Sequence, residues 1–220
     1  MATTSEPRRR FECVPVPAEM QHLPRDRRGF PIPEIVFRDQ AGQPHFTIND
    51  TPKSIQALAE ERCPICWGKL TRGRWFVGGP LSALHENGAF ADPPGHRACV
   101  TYALQVCPYL AAPSYAKRID GETLIDRAGI AVALDPTVVA ARPEIFVAVM
   151  AVGQSVRWGM NPTIRPKRPY RAVEYWRHGV RLADAEGERI SAAILSAPLP
   201  SSAQPRVLAS PRLRAAAENH

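Results

Sequence analysis

The stretch Cys63-Pro64-Ile65-Cys66, read together with His96-Arg97-Ala98-Cys99, decides the fold of this chain. Each segment carries two metal-capable side chains with two residues between them. Together they offer three thiols and one imidazole, the donor set of a closed tetrahedral zinc site. Residues 67 to 95 separate the pairs, 29 positions that accommodate a β-hairpin and a connector. Pro64 preorganises the turn between the first two cysteines. Gly68 lets backbone amides approach the sulfurs, where they soften thiolate charge. Asp92-Pro93-Pro94-Gly95 punctuates the chain before a helix expected from His96 to Gln105 or Cys107. Side chains three apart on its first turn point the same way, so His96 and Cys99 can grip one ion.

A knuckle, a hairpin and a helix whose first turn gives the second ligand pair resemble a treble clef. Zinc held in this way is structural, and such sites contribute about 10–16 kcal/mol to folding. Other readings of the same cysteines stand beside it. A redox pair at Cys63 and Cys66 needs a preceding strand in a thioredoxin-like βαβ setting, which is missing. An iron–sulfur cluster would use Cys63, Cys66, Cys99 and Cys107 and leave His96 out. Fortuitous spacing would leave no metal at all. Cys107 stands eight positions after Cys99, on the same helix face, where a small buried thiol packs as a hydrophobe. Cys13 lies in an irregular segment and is expected to take no part.

No residue set demands an enzyme. His85, within Leu84-His85-Glu86-Asn87-Gly88, reads as a hydrated loop tip or as a general base beside the metal. The second reading is that of the His-Asn-His nucleases, whose base follows an acidic residue and whose metal keeps open positions. Here His85 follows a leucine, and His96 is already a ligand. Four protein ligands also close the ion to water. A phosphate-cradling glycine loop and a nucleophile elbow are both missing from the sequence. A metalloenzyme would require a displaceable ligand, with His96 as the candidate.

Outward from the metal pairs, Ile35-Val36-Phe37, a turn at 39–43 and His45-Phe46-Thr47-Ile48 predict a β-hairpin. Thr51-Pro52 caps and begins a helix to about Arg62, with Ile55, Leu58 and Ala59 on one face. Trp75-Phe76-Val77 predicts a strand broken by Gly78-Gly79-Pro80, with residues 81–84 as the returning strand. Residues 117–128 predict a short helix and 130–134 an apolar run. Residues 145–152, rich in β-branched side chains, predict the central strand, extended by 154–158 past a bend at Gly153. A proline-basic loop is expected at 161–169 and a helix at 170–178 ending at Gly179. A second helix at 185–197 carries Ile190, Ala193, Ile194 and Ala197 on one stripe. The fold class is thus α+β: a zinc-centred treble-clef module at 63–110, flanked by an N-terminal β-hairpin and a C-terminal strand–helix segment. Residues 1–22 form an irregular arm, 23–197 one compact domain and 198–220 a disordered tail.

Proline, 23 of 220 residues, is about twice its usual share and forbids long uninterrupted helices. The formal charge of +7 is uneven, with twelve basic against seven acidic side chains over 129–220 and nine of each over 1–62. Arg157, Arg165, Lys167, Arg168 and Arg171 fall in a stretch without an acid, and Lys69, Arg72 and Arg74 cluster at the expected hairpin. These eight cations, with Trp75, Trp158 and Tyr170 among them, form a candidate nucleic-acid face; the bland reading is a solvated surface over core aromatics. Recruitment of a protein partner is the alternative. Neither a secretory signal nor an apolar run of membrane-spanning length is present, so a cytoplasmic protein without membrane contact is expected. In a reducing compartment, clustered cysteines argue for metal rather than disulfides.

Several phrases add a resemblance. They are Leu23-Pro24-Arg25-Asp26-Arg27-Arg28-Gly29-Phe30-Pro31-Ile32-Pro33, Val77-Gly78-Gly79-Pro80-Leu81, Pro93-Pro94-Gly95-His96-Arg97-Ala98-Cys99 and Tyr102-Ala103-Leu104-Gln105-Val106-Cys107-Pro108-Tyr109-Leu110. With the Cys63/Cys66 knuckle, this series resembles a group of small zinc-binding proteins encoded by phages and actinobacteria. It covers residues 23–118 and returns weakly at 175–197. The recurrent piece there is Pro-Pro-Ser-His-x-x-Cys-Ala-x-Tyr, from which Gly95 and Val100 depart without touching the ligands. The resemblance implies the metal site and a structural role for Cys107-Pro108, and no activity.

Overall fold

The computed structural model describes residues 14–112, 142–159 and 162–197. The expected hairpin is β1 (Val36–Arg38) paired antiparallel with β2 (Pro44–Asn49). Its turn is built by Asp39, whose carboxylate accepts from the amides of Ala41 and Gln43, both at 2.9 Å. Gly42 there has φ 76°, a left-handed conformation that costs glycine nothing. Helix α1 (Thr51–Ala59) follows, capped by Asp50 rather than by Thr51, because the carboxylate one residue earlier accepts from the Lys53 amide at 2.9 Å.

The remaining elements are β3 (Arg74–Gly78), α2 (Pro80–Leu84), α3 (Arg97–Val106), α4 (Pro108–Ala111), β4 (Phe146–Ala151), β5 (Gln154–Arg157), β6 (Thr163–Pro166), β7 (Ala172–Arg177), β8 (Val180–Arg181) and α5 (Asp184–Ser196). Strands β3, β4, β7 and β8 form one antiparallel sheet in that order, while β5 and β6 make a separate hairpin between β4 and β7. Strand β4 is central, as its sequence predicts. Ile145, Val147, Val149 and Ala151 join Phe76, Ala83, Phe90, Tyr175 and Ile190 in the core on one face, where α2 and α5 pack. Phe146 and Ala148 join Trp75, Trp176, Val100 and Leu104 on the other, under α3. A strand covered on both faces reads as a continuous apolar run, which is why Phe146–Ala151 does not alternate.

Three expectations give way to pairing and turn chemistry. Residues 81–84 return as helix α2, not as a strand, because Gly79 is extended and Pro80 then supplies the preset φ of a first helical turn. Strand β3 therefore pairs with β4, and the segment before α3 meets it only at Trp75 and Gly95. The helix expected at 170–178 is β7 and the start of a hairpin. Its Val173-Glu174-Tyr175-Trp176 run suits a strand, and His178 (φ 53°) with Gly179 (φ 77°) makes the tight two-residue turn into β8. The proline-basic loop contains β6, since Pro166 closes a strand whose bonds run to β5. The C-terminal segment is accordingly several strands and one helix. The expected helix at 117–128, the run at 130–134, the tail at 198–220 and Cys13 lie outside the described residues. Among the described residues, no helix is long and apolar enough to cross a membrane.

Candidate metal centre

Cys63 and Cys66 sit on a closed knuckle. The Cys63 amide donates to the Gly68 carbonyl and the Trp67 amide to the Cys63 carbonyl, both at 2.8 Å. Trp67 takes the left-handed turn (φ 62°), with the Lys53 ammonium and Arg62 guanidinium each 5.9 Å from its ring. His96 is the N-cap of α3, and Cys99 lies in the helix's first turn. The folding of these two segments brings the four donor atoms of Cys63, Cys66, His96 and Cys99 within 4.8 Å of one another. Zinc–sulfur bonds of about 2.3 Å in a tetrahedron place donors about 3.8 Å apart, so this cluster fits such an ion with small side-chain adjustments.

The imidazole is oriented by its other nitrogen. Nε2 lies 2.9 Å from the Lys69 carbonyl, to which it donates, while Nδ1 faces the sulfurs, 3.2 Å from Cys66 Sγ. The Nε2 contact with the Lys69 carbonyl fixes the tautomer that leaves Nδ1 free to ligate. Both glycines beside the ligands act by absence of a side chain. A Cβ at Gly68 would stand 3.2 Å from the His96 ring and 3.5 Å from Cys66 Sγ; one at Gly95 would stand 3.0 Å from Val100 and 3.4 Å from Cys63 Sγ.

The cluster shares protons as a unit. Hydrogen bonds from Cys66 and Cys99, then from His96, hold the Cys63 thiol far below its ordinary pKa against the opposing effect of burial. The same bonds to Cys63 push Cys66 up, and bonds to Cys63 and Cys66 with burial push Cys99 up. His96 is raised to about 9, first by its bond to Cys63 and further by the Lys69 carbonyl. A metal ion binding here displaces those protons. Cys63 and Cys99 are wholly buried, and Met20, Leu23, Tyr102 and Val106 pack around the sulfurs. Met20 ends a 3-10 turn at Ala18–Met20, so the chain N-terminal to the hairpin forms one wall of the centre. His96 is the least buried ligand, and it opens onto a cavity of about 670 Å³ lined also by Arg97, Thr101, Tyr102, Glu174 and Trp176.

The other candidates fall elsewhere. Cys107 is outside the cluster, at the C-cap of α3, where burial pushes its thiol pKa up. The donor set is three sulfurs and a nitrogen, not four sulfurs. His85 ends α2 and accepts from the Asn87 amide at 3.2 Å, a turn-stabilising role. Of the eight cations, three are engaged within the chain. Lys69 Nζ donates to the Glu60 carbonyl at 2.8 Å, and Arg74 pairs with Glu61. Arg168 Nη2 donates to the carbonyls of His85 (2.6 Å) and Ala83 (3.2 Å). Arg72, Arg157, Arg165, Lys167 and Arg171 are exposed. Sequence reasoning missed the ion pairs of Glu174 with Arg97 (3.1 Å) and Arg181 (3.9 Å), which join α3 to β7 and β8. A buried carboxylate inside an apolar run was the available signal. It also missed Lys69 as a carbonyl acceptor, for which a side-chain pattern gives no signal.

Comparison of the chain with protein-family models, with curated proteins and with solved structures finds no match in any of the three. The resemblance to a phage and actinobacterial group is not supported by these comparisons. What stands is a mixed α/β protein with antiparallel sheets and a four-residue cluster able to hold a metal ion.

Proposed function

We propose that the protein is a non-enzymatic, zinc-stabilised binding protein that holds nucleic acid on a basic face. The ion sits in a module whose knuckle and helix start are the two ligand pairs, although the hairpin of a treble clef is replaced between them by β3 and the helix α2. Three thiolates and one imidazole complete a tetrahedron and leave no position for a reacting water, which favours a structural ion over a catalytic one. Zinc in that site ties the knuckle and the Met20 segment to α3, and α3 in turn packs on the sheet.

The observation that carries the binding reading is where the exposed cations gather. Arg74 pairs with Ala151 at one end of the central sheet, so Arg72 lies just beyond that end. The Arg171 amide donates to the Met150 carbonyl at 2.8 Å, which brings Arg171 to the same end. The Lys167 amide donates to the Gly153 carbonyl at 2.7 Å, and from there β5 and β6 carry Arg157 and Arg165 outward. No aspartate or glutamate occurs from residue 145 to 173. Four of the five exposed cations lie in that acid-free stretch, and Arg72 stands at the same sheet end beside the Arg74–Glu61 pair; together they make a field suited to phosphate.

The test is binding of the full-length, zinc-loaded protein to labelled DNA and RNA as salt rises. Four neutralised phosphates give a slope of log K against log salt of about −3 to −4. Lack of retention at about 50 mM salt, or a flat salt response, rejects the reading. A nuclease-resistant co-purifying protein in place of nucleic acid would favour partner recruitment instead.

A further inference from the structure

Of the three aromatic side chains expected among the cations, the fold withdraws two. Trp75 is 7% exposed, with the Arg97 guanidinium 5.4 Å from its ring. The Tyr170 hydroxyl donates to the Ala83 carbonyl at 2.8 Å, and Arg168 lies 5.3 Å over the ring. Trp158 alone is left in water, 56% exposed. It follows directly on β5, whose Val156 packs on the core. Strand parity puts Trp158 on the Val156 side, and its exposure means that the hairpin overruns the core at this end.

Arg157 and Arg165 occupy the other face of the hairpin. The register pairs Arg157 with Thr163 and Ser155 with Arg165, so the two arginines are diagonal neighbours on the solvent side. Such neighbours stand about 7–8 Å apart. Gln154 and Pro166 close the base, next to Lys167. A track of positive charge therefore runs from the sheet end along the hairpin and finishes at an uncovered indole. A two-stranded ribbon also fits a major groove, but an indole at its tip finds no open base face there, because the bases of a duplex are stacked on one another.

We infer that the nucleic acid held on this face is single-stranded, with Trp158 stacking on an unpaired base and Arg157 and Arg165 contacting phosphates of the same strand. The inference rests on the binding reading above. It follows the general design of single-strand binders, which combine a basic track with aromatic platforms.

The experiment measures anisotropy of a labelled oligo(dT) of about 20 nucleotides and of a duplex of equal length with the full chain at about 50 mM salt. The proteins are wild type, Trp158→Ala and Trp158→Phe. Wild type binds the single strand more tightly than the duplex, and its tryptophan fluorescence is quenched on binding. Trp158→Ala weakens the single-strand complex about ten-fold and leaves the duplex complex within about two-fold, while Trp158→Phe recovers most of the loss. Equal binding of both forms with no effect of Trp158→Ala overturns the stacking inference and leaves the basic face standing. Binding of neither form removes the binding reading and this inference together.

Discussion

On the proposed zinc reading, removing the metal is the perturbation that reaches furthest into this fold. Its centre holds two wholly buried cysteines, Cys63 and Cys99, and joins the 63–68 knuckle and the Met20 segment to the first turn of α3. Structural zinc sites of this donor type bind with about 10–16 kcal/mol at the standard state. In about 10 μM free zinc, that amounts to about 3–9 kcal/mol of stabilisation. Unfolding about 150 described residues carries an entropy of about 0.3 kcal/mol per kelvin. Stripping the ion is therefore expected to lower Tm by about 10–30 °C. Circular-dichroism melts of zinc-loaded and chelator-dialysed protein, with zinc measured by elemental analysis, give the comparison. Cys99→Ser should reproduce the stripped melt even in added zinc. A metal-free protein melting within about 2 °C of the loaded one refutes the reasoning, because no other role of the ion spares the Cys63 and Cys99 environment.

Three further outcomes test the surrounding structure. Gly187→Ala places a Cβ 2.0 Å from Tyr175 Cγ and 2.4 Å from its Cβ; pushing α5 off the sheet costs about 2–4 kcal/mol against about 1 gained in helix propensity, so denaturant melts should show a net loss, and an unchanged midpoint contradicts the packing. Arg168→Ala removes two bonds to the α2 C-terminus and should cost about 1–2 kcal/mol of stability with little change in nucleic-acid affinity, whereas Arg157→Ala should do the reverse. Asp26 accepts from the Arg28 and Phe30 amides at 2.8 and 3.0 Å and from Arg28 Nε at 2.8 Å. Burial raises its pKa, but those partners outweigh it and hold the carboxyl below the usual range. A folded pKa below the unfolded value of about 3.9 stabilises at higher pH and is lost as pH falls through the folded pKa. Asp26→Asn should thus cost about 1–2 kcal/mol at neutral pH, and its gap to wild type should close in acid; a gap constant down to pH about 3 rejects the assignment.

The four-residue cluster was legible because its information is local: two residues between partners in each pair, a proline-stiffened turn, and a helix start after Pro93-Pro94-Gly95. The β1–β2 hairpin and the apolar run of β4 were legible for the same reason. What failed was set by distant partners. Val173-Glu174-Tyr175-Trp176 satisfies a helical stripe and a strand about equally, and only β4, lying alongside as Phe146–Ala151, decides for the strand. Thr163–Pro166 looked like a loop because of its prolines, yet a proline at a strand end loses no ladder bond. Residues 81–84 turned on Pro80, which suits a helix start as well as a strand break. Of the basic face, the positions were readable and the engagement was not. That Arg168 is spent on two carbonyls of α2 depends on a contact 83 residues away.

Helix α3 has a consequence in time as well as in space. Its Cys99 completes the ligand set, while the opposite side, Val100 and Leu104, awaits a sheet whose central strand begins only at Phe146. All four donors are synthesised before any residue of that strand. At about 5–20 residues per second, several seconds of translation separate the two events. The four-donor cluster is thus complete in the growing chain before the sheet is, and the helix that forms the wall between the two cores is synthesised well ahead of the strand it packs on.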